Sequence, residues 1–299
     1  MARLRIAVTG KQGQIVKSLS ERAGEHQIDV VAVGRPEFDL TDPVSVRRVL
    51  IDTSPDAIVN AAAYTAVDRA EKEPELALAV NGAGAGAVAE ASDELGVPLV
   101  HISTDYVFDG LENRSYVEDD PVAPLSAYGK SKQAGEAAVR ENSKNHVILR
   151  TSWVYSPFGV NFLKTMLRLA KTRDEISVVD DQRGAPTFAL DIADGVIVVI
   201  KNLLARPSES RLRGTFHLAA AGETSWAGFA KAVFEASASF GGPVATVKEI
   251  PTTHYPTPAP RPANSRLDCS KLLSIHGVAL RDWRAPIPQC VARVLAEGE

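Results

Sequence analysis

Ser103-Thr104-Asp105-Tyr106, followed by Tyr128 and Lys132, are the residues of this sequence best equipped for chemistry. Positions four apart share one face of a helix, so Tyr128 and Lys132 can act at one place. Six tyrosines and a Lys frequency of roughly 5% give about 0.3 such pairs by chance, so the pair alone says little. Thr104 changes that, because a hydroxyl at a strand end facing the start of the next helix completes a set. A free Tyr has a pKa near ~10 and is only a fair acid. A neighbouring ammonium stabilises the phenolate, and each unit of lowering corresponds to about 1.4 kcal/mol. Thr104 can hydrogen-bond an oxygen on which negative charge develops. Together these groups can protonate a carbonyl oxygen while hydride reaches its carbon, and Lys132 can also reach the ribose of a nicotinamide donor.

Such a set needs a frame that brings a strand end and a helix start to one crevice. Short β-branched runs at Leu4–Thr9, Asp29–Val33, Ala57–Val59, Leu99–Ser103 and His146–Leu149 read as strands buried on both faces. Between them Gln14–Arg22, Pro43–Ile51, Glu75–Leu95 and Ser126–Asn142 read as helices, with Asp42 before Pro43 forming a typical helix start. This alternation predicts the α/β class, a doubly wound parallel (Rossmann) sheet with right-handed crossovers. Later residues predict helices over Asn161–Lys171, Leu190–Leu204 and Trp226–Ser239, and strands over Ile176–Val179 and Thr215–Leu218. Pro251–Pro262 holds five prolines in twelve positions and reads as an extended loop. The expected organisation is a dinucleotide-binding domain over residues 1–151, to which 174–218 return. Residues 152–299 mainly form a smaller, interleaved substrate lobe.

Val8-Thr9-Gly10-Lys11-Gln12-Gly13-Gln14 lies where the first strand turns into the first helix. Glycines there let backbone approach a pyrophosphate, and the helix N-terminus offers N–H donors. Val16 stands where a third glycine is usual, so the fingerprint is incomplete. The second strand ends in Val33-Gly34-Arg35, without an acid for a free ribose 2′-hydroxyl. Arg35 suits a 2′-phosphate, which favours NADPH while leaving NADH open. Asp39 and Leu40 follow and can border the adenine.

Composition narrows the remaining classes. A net charge of -4 over 299 residues gives no electrostatic reason to expect nucleic acid or an anionic membrane. Cys269 and Cys290, without a Cys-x-x-Cys spacing, suggest neither a disulfide framework nor a zinc site. The six histidines are scattered, and Glu118-Asp119-Asp120 reads as a solvated loop, so no metal is expected. Met1-Ala2-Arg3-Leu4-Arg5 lacks the features of a signal peptide, and no apolar run reaches about twenty residues. A cytoplasmic protein is expected.

Several segments resemble the dTDP-4-dehydrorhamnose reductases, a family of extended short-chain dehydrogenases/reductases. They are Asn60–Asp68, Ser103–Phe108, Thr151–Tyr155, Asp181–Thr187 and Arg261–Ser265, within a similarity running from about Ile6 to Trp283. The resemblance implies NAD(P)H-dependent reduction of the C4 ketone of dTDP-4-dehydro-β-L-rhamnose, with a dTDP-sugar as partner. It implies cofactor contacts from Gly13, Gln14 and Ile15, then from Asp39 and Leu40, and from Ala63, Tyr64 and Thr65, beside which Gly10 and Gln12 of the first turn and Ala62 are also expected at the cofactor. Tyr128 and Lys132 keep the roles argued above. Thr104, Asp105 and Trp153 would face the sugar nucleotide, and Arg261 would meet its diphosphate.

Family members that pair through magnesium hold it with glutamates, whereas the matching positions are Ser18 and Leu190, which cannot ligate it in that way. A monomer, or a weak homodimer without a magnesium bridge, is expected. Two other readings share the fold. One is a non-catalytic subunit resembling the regulatory subunit of methionine adenosyltransferase, and the other is a sugar-nucleotide dehydratase or epimerase. Dehydration needs an Asp-Glu pair after the Thr, where this chain has Asp105-Tyr106.

Overall fold

The computed structural model describes residues 3–298; Met1, Ala2 and Glu299 lie outside the described residues. The first half alternates as the hydrophobic pattern requires: β1 (Leu4–Thr9), α1 (Gln14–Ala23), β2 (Ile28–Val33), α2 (Pro43–Thr53), β3 (Ala57–Asn60), then α3 (Val67–Ala70), α4 (Pro74–Leu78) and α5 (Gly84–Leu95). β4 (Leu99–Thr104), α6 (Ala127–Asn142) and β5 (His146–Thr151) follow. The second half contains β6 (Val154–Tyr155), α7 (Phe162–Ala170), β7 (Glu175–Val179), β8 (Arg183–Gly184), β9 (Thr187–Phe188), α8 (Ala189–Ala205) and β10 (Gly214–His217). It closes with β11 (Thr224–Ser225), α9 (Trp226–Ser239), β12 (Thr246–Ile250), α10 (Ser270–His276) and α11 (Ile287–Ala296).

Six parallel strands form one sheet in the order β10-β5-β4-β3-β1-β2. Because strand side chains alternate, each strand feeds two cores. Ile6, Val8, Val59 and Leu149 pack under α1 and α8. Ala7, Ile58, Leu99 and Ile148 pack under α2, α5 and α6. This is the predicted doubly wound α/β class. Strand order reverses between β1 and β3, and a crevice opens there beyond their carboxyl ends. A third core, built on Tyr155, Phe188, Phe229 and Trp283, holds the C-terminal lobe together. Within residues 174–218, α8 and β10 lie on the six-stranded sheet, while β7 pairs with β12 in a separate two-stranded ladder.

Several elements, α10 and α11 among them, lie outside the expected set, and two differences stand out. The helix expected over Glu75–Leu95 is interrupted by a π-turn at Ala79–Ala83. That turn holds Asn81, whose side chain accepts from the Tyr64 N–H and donates to Tyr64 O and Ser131 Oγ. π-turns cluster at functional sites, and this one clamps the loop that follows β3. The second difference is β12, which extends the chain just before the proline-rich segment. That segment is irregular apart from a 3-10 turn at Thr252–His254.

Candidate active site

A cavity of about 620 Å³ lies over the carboxyl ends of β1, β3, β4 and β5. Gly10 forms its floor with φ +99, a conformation that favours glycine. Val16 packs against the bare Gly10 Cα, 3.2 Å from where a Cβ would stand. The missing third glycine is therefore accommodated by a buried valine. Gly13 caps α1 without a side-chain hydrogen bond, which leaves first-turn N–H groups directed at the cavity. Backbone of this shape, at a helix N-terminus and a topological switch point, fits a dinucleotide pyrophosphate.

Gln12, Gln14, Ile15, Ala62, Ala63 and Thr65 line the same cavity. The Gln14 side chain reaches across to the second lobe. Its carbonyl oxygen accepts from Ser156 Oγ (2.7 Å) and Asn161 Nδ2 (3.0 Å), so it ties the turn to the loop after β6. Arg35, Asp39, Leu40 and Tyr64 lie outside the cavity lining. Arg35 is exposed and pairs with Asp39 at 2.9 Å, and Leu40 is buried in the core under α5. The Tyr64 hydroxyl donates to Glu73 (2.7 Å). Lys11, whose Nζ donates to Arg35 O (3.0 Å), adds a second cation to this corner that the sequence pattern alone did not single out.

On the opposite wall, Thr104 ends β4 and caps a 3-10 turn over Asp105–Val107, accepting from the Tyr106 N–H at 3.2 Å. Ser126 caps α6 by accepting from the Gly129 N–H, which puts Tyr128 in the first turn and Lys132 one turn on. Thr104, Tyr128 and Lys132 thus meet at one cavity wall, as the spacing predicts. The acidity of Tyr128 moves opposite to expectation. Burial, then the Asp105 charge, pushes the Tyr128 phenol well above its ordinary value. The Lys132 Nζ donates to Ile102 O at 2.7 Å and lies 3.4 Å from His101 Nε2. Burial lowers Lys132 to about 8, with Glu136 opposing.

Asp105 receives a hydrogen bond from Thr104 Oγ1 at 2.9 Å on one oxygen. Its other oxygen, with the hydroxyls of Thr151 and Ser152, is buried without a partner among the described residues. Buried polar atoms are normally satisfied, so three orphans on one cavity mark where a polar ligand would sit. Thr151 and Ser152 escaped the residue-level reading because hydroxyls at a strand end carry no spacing signal. Trp153, which lines the cavity, has φ 49 and stacks on Trp226 at 3.7 Å. Trp226 appeared in the sequence only as a helix start. Arg261 stands just outside, pairing with Asp68 at 2.7 Å and donating to the Tyr106 hydroxyl at 3.3 Å.

No cluster of three or more His, Cys, Asp or Glu that could hold a metal occurs among the described residues. Ser18 and Leu190 are both buried. No helix among the described residues is long and apolar enough to cross a membrane. Two smaller grooves flank Asp191 and Asp194, whose carboxylates are already engaged by Arg281 and Arg22.

Comparison with known proteins bears on this arrangement. The model of the RmlD substrate binding domain matches residues 4–296. A dTDP-4-dehydrorhamnose reductase of Sinorhizobium fredii is 49% identical over 296 residues, 99% of each chain. The crystal structure of a dTDP-4-dehydrorhamnose reductase from Clostridium acetobutylicum superposes with a TM-score of 0.89 at 34% identity, covering 98% of this chain and 100% of that one. That of the Bacillus anthracis reductase, solved in complex with NADP, has a TM-score of 0.86 at 38% identity, covering 99% and 100%. By sequence and by fold, over nearly its whole length, the chain belongs to the dTDP-4-dehydrorhamnose reductase family, the family of the RmlD substrate binding domain.

Proposed function

We propose that this protein reduces the C4 ketone of dTDP-4-dehydro-β-L-rhamnose to dTDP-L-rhamnose with NADPH, in the cytoplasm. The observation that carries the reading is the convergence of Thr104, Tyr128 and Lys132 on one cavity with the Gly10–Gly13 turn. NADPH, when bound, supplies the hydride. Gly10 and Gly13, with the N–H groups of Gln14 and Ile15, hold its diphosphate, and Gln12, Ala62, Ala63 and Thr65 wall it in. Asp39, Leu40 and Tyr64 border the adenosine end. Arg35 beside Lys11 meets the 2′-phosphate, which sets the preference over NADH. Residues 1–151, with α8 and β10, form the dinucleotide domain, and the remainder forms the substrate lobe.

Thr104 donates to the ketone oxygen as charge builds on it, turning away from Asp105 to do so. Tyr128 gives that oxygen its proton, and its raised pKa keeps the phenol protonated across the neutral range. Lys132 positions the ribose. Asp105 and Trp153 face the sugar, and Arg261 leaves Asp68 for the diphosphate. The test is NADPH consumption with enzymatically generated dTDP-4-dehydro-β-L-rhamnose, followed by product identification. Stoichiometric oxidation with dTDP-L-rhamnose as product supports the proposal; bound NADPH that is never consumed overturns it.

A further inference from the structure

Behind Lys132 a line of buried side chains runs away from the cavity: His101 on β4, Asn60 at the end of β3 and Thr9 at the end of β1. Lys132 Nζ lies 3.4 Å from His101 Nε2, His101 Nδ1 lies 3.0 Å from Asn60 Nδ2, and Thr9 Oγ1 lies 2.8 Å from Asn60 Oδ1. None of the four residues is more than 2% exposed. The direction of this chain is fixed at its far end. The N–H groups of Ala61 and Ala62 both donate to Thr9 Oγ1, at 3.1 and 2.9 Å. A backbone N–H can only donate, and a hydroxyl has two lone pairs, so the one Thr9 proton goes to Asn60. Amide orientation follows from partners, and here the partners leave one arrangement. Asn60 receives on oxygen and presents its NH₂ to His101 Nδ1. That nitrogen therefore accepts, and the neutral ring carries its proton on Nε2, facing Lys132.

Lys132 already donates to Ile102 O. An ammonium has no lone pair with which to accept from Nε2–H, whereas a free amine has one. We infer that His101 is a positioning residue for Lys132, and that its Nε2–H, oriented by the Thr9–Asn60 relay, favours the amine form and holds it against Ile102 O. Burial first, and Lys132 second, keep His101 well below its ordinary pKa, so the ring stays neutral. The other titratable groups facing this pair are Glu136 and Arg140 on α6 and His146 on β5, and Glu136 pulls Lys132 toward the ammonium. Tyr128, a turn before Lys132, completes the set. The relay starts at the backbone of Ala61 and Ala62, in the wall proposed for the cofactor. The protonation state of the lysine is thereby wired to that wall.

The tautomer stands independently of any activity, and the kinetic consequence rests on the reductase reading. The first test is ¹⁵N NMR of histidine-labelled protein, with His101 assigned from the spectrum of His101→Gln. A neutral ring protonated on Nε2 across the neutral range is expected; protonation on Nδ1, or of both nitrogens, overturns the inference. Asn60→Asp keeps the shape but accepts from Nδ1–H, so it should flip the tautomer; an unchanged ring contradicts the relay. The second test is the pH profile of kcat/KM for ketone reduction. His101→Leu, which removes the donor, should raise the apparent pKa of Lys132 by about one unit, a tenfold change in the amine-to-ammonium ratio. His101→Gln, whose amide restores an N–H at the same place, should return the wild-type profile. A Leu variant with the wild-type profile overturns the inference. If no variant and no wild type reduces the ketone, the reductase reading fails and the NMR result alone decides the relay.

Discussion

Tyr128 and Asp105 sit on the same wall, and burial raises the pKa of both. Replacing Tyr128 by Phe removes the proposed proton donor without opening a cavity. We expect kcat to fall by about 10²–10⁴, the usual scale for a general acid, with NADPH affinity nearly unchanged. Steady-state kinetics beside a fluorescence titration would check it, and near-normal kcat removes Tyr128 from the mechanism. Burial raises the Asp105 carboxyl to about 6, against the hydrogen bond from Thr104. Its folded pKa exceeds the unfolded one, so the native state binds more protons between roughly pH 4 and 6. The charge therefore costs stability above about pH 6, and the cost disappears below about pH 4. Asp105→Asn should gain on the order of 2–3 kcal/mol at high pH and little at low pH, read from urea unfolding. Equal gains at both pH values would falsify this account. Tyr128, Lys132 and Thr104 were legible in the sequence because a four-residue spacing and a strand end are local signals. The direction of Lys132 was not, since it depends on His101 and Ile102, which only the sheet brings beside it.

At the scale of elements, α6 presents the catalytic pair and must lie close against the π-turn. Gly135 makes this approach possible: a Cβ there would stand 2.1 Å from Asn81 O. Gly135→Ala should cost about 3 kcal/mol, because backbone rather than a pliable side chain must move. It should also loosen the Tyr64 loop that Asn81 clamps. Thermal unfolding reads the first effect and NADPH affinity the second; a variant as stable as wild type would show that the helices separate freely. The π-turn itself was hidden because one extra residue barely shifts the apolar pattern of a long helix. β12 was hidden for another reason. Thr246–Ile250 alternates little in burial, and its pairing with β7 spans some seventy residues of chain, so no period marks it as a strand. The strands of the main sheet carried a clear signal because both faces are covered.

Across the whole molecule, the cavity lies at the seam between two cores, and Gln14 crosses that seam to Ser156 and Asn161. The parallel sheet was readable from strand–helix alternation, while the crossing contacts were not, because they join residues about 140 positions apart. Assembly is a question at this scale as well. Buried Ser18 and Leu190 offer no carboxylates, so sedimentation should give the same species in EDTA and in magnesium. A dimer that forms only with magnesium would refute that. Of the chain's three tryptophans, Trp153 lines the cavity and stacks nearly parallel on Trp226, while Trp283 is buried in the C-terminal core. Parallel indoles in van der Waals contact couple their electronic transitions and quench one another. Any ligand that shifts Trp153 by a fraction of its ring width changes that coupling, so the protein announces the occupancy of its own cleft in its ultraviolet circular dichroism and emission, without a label.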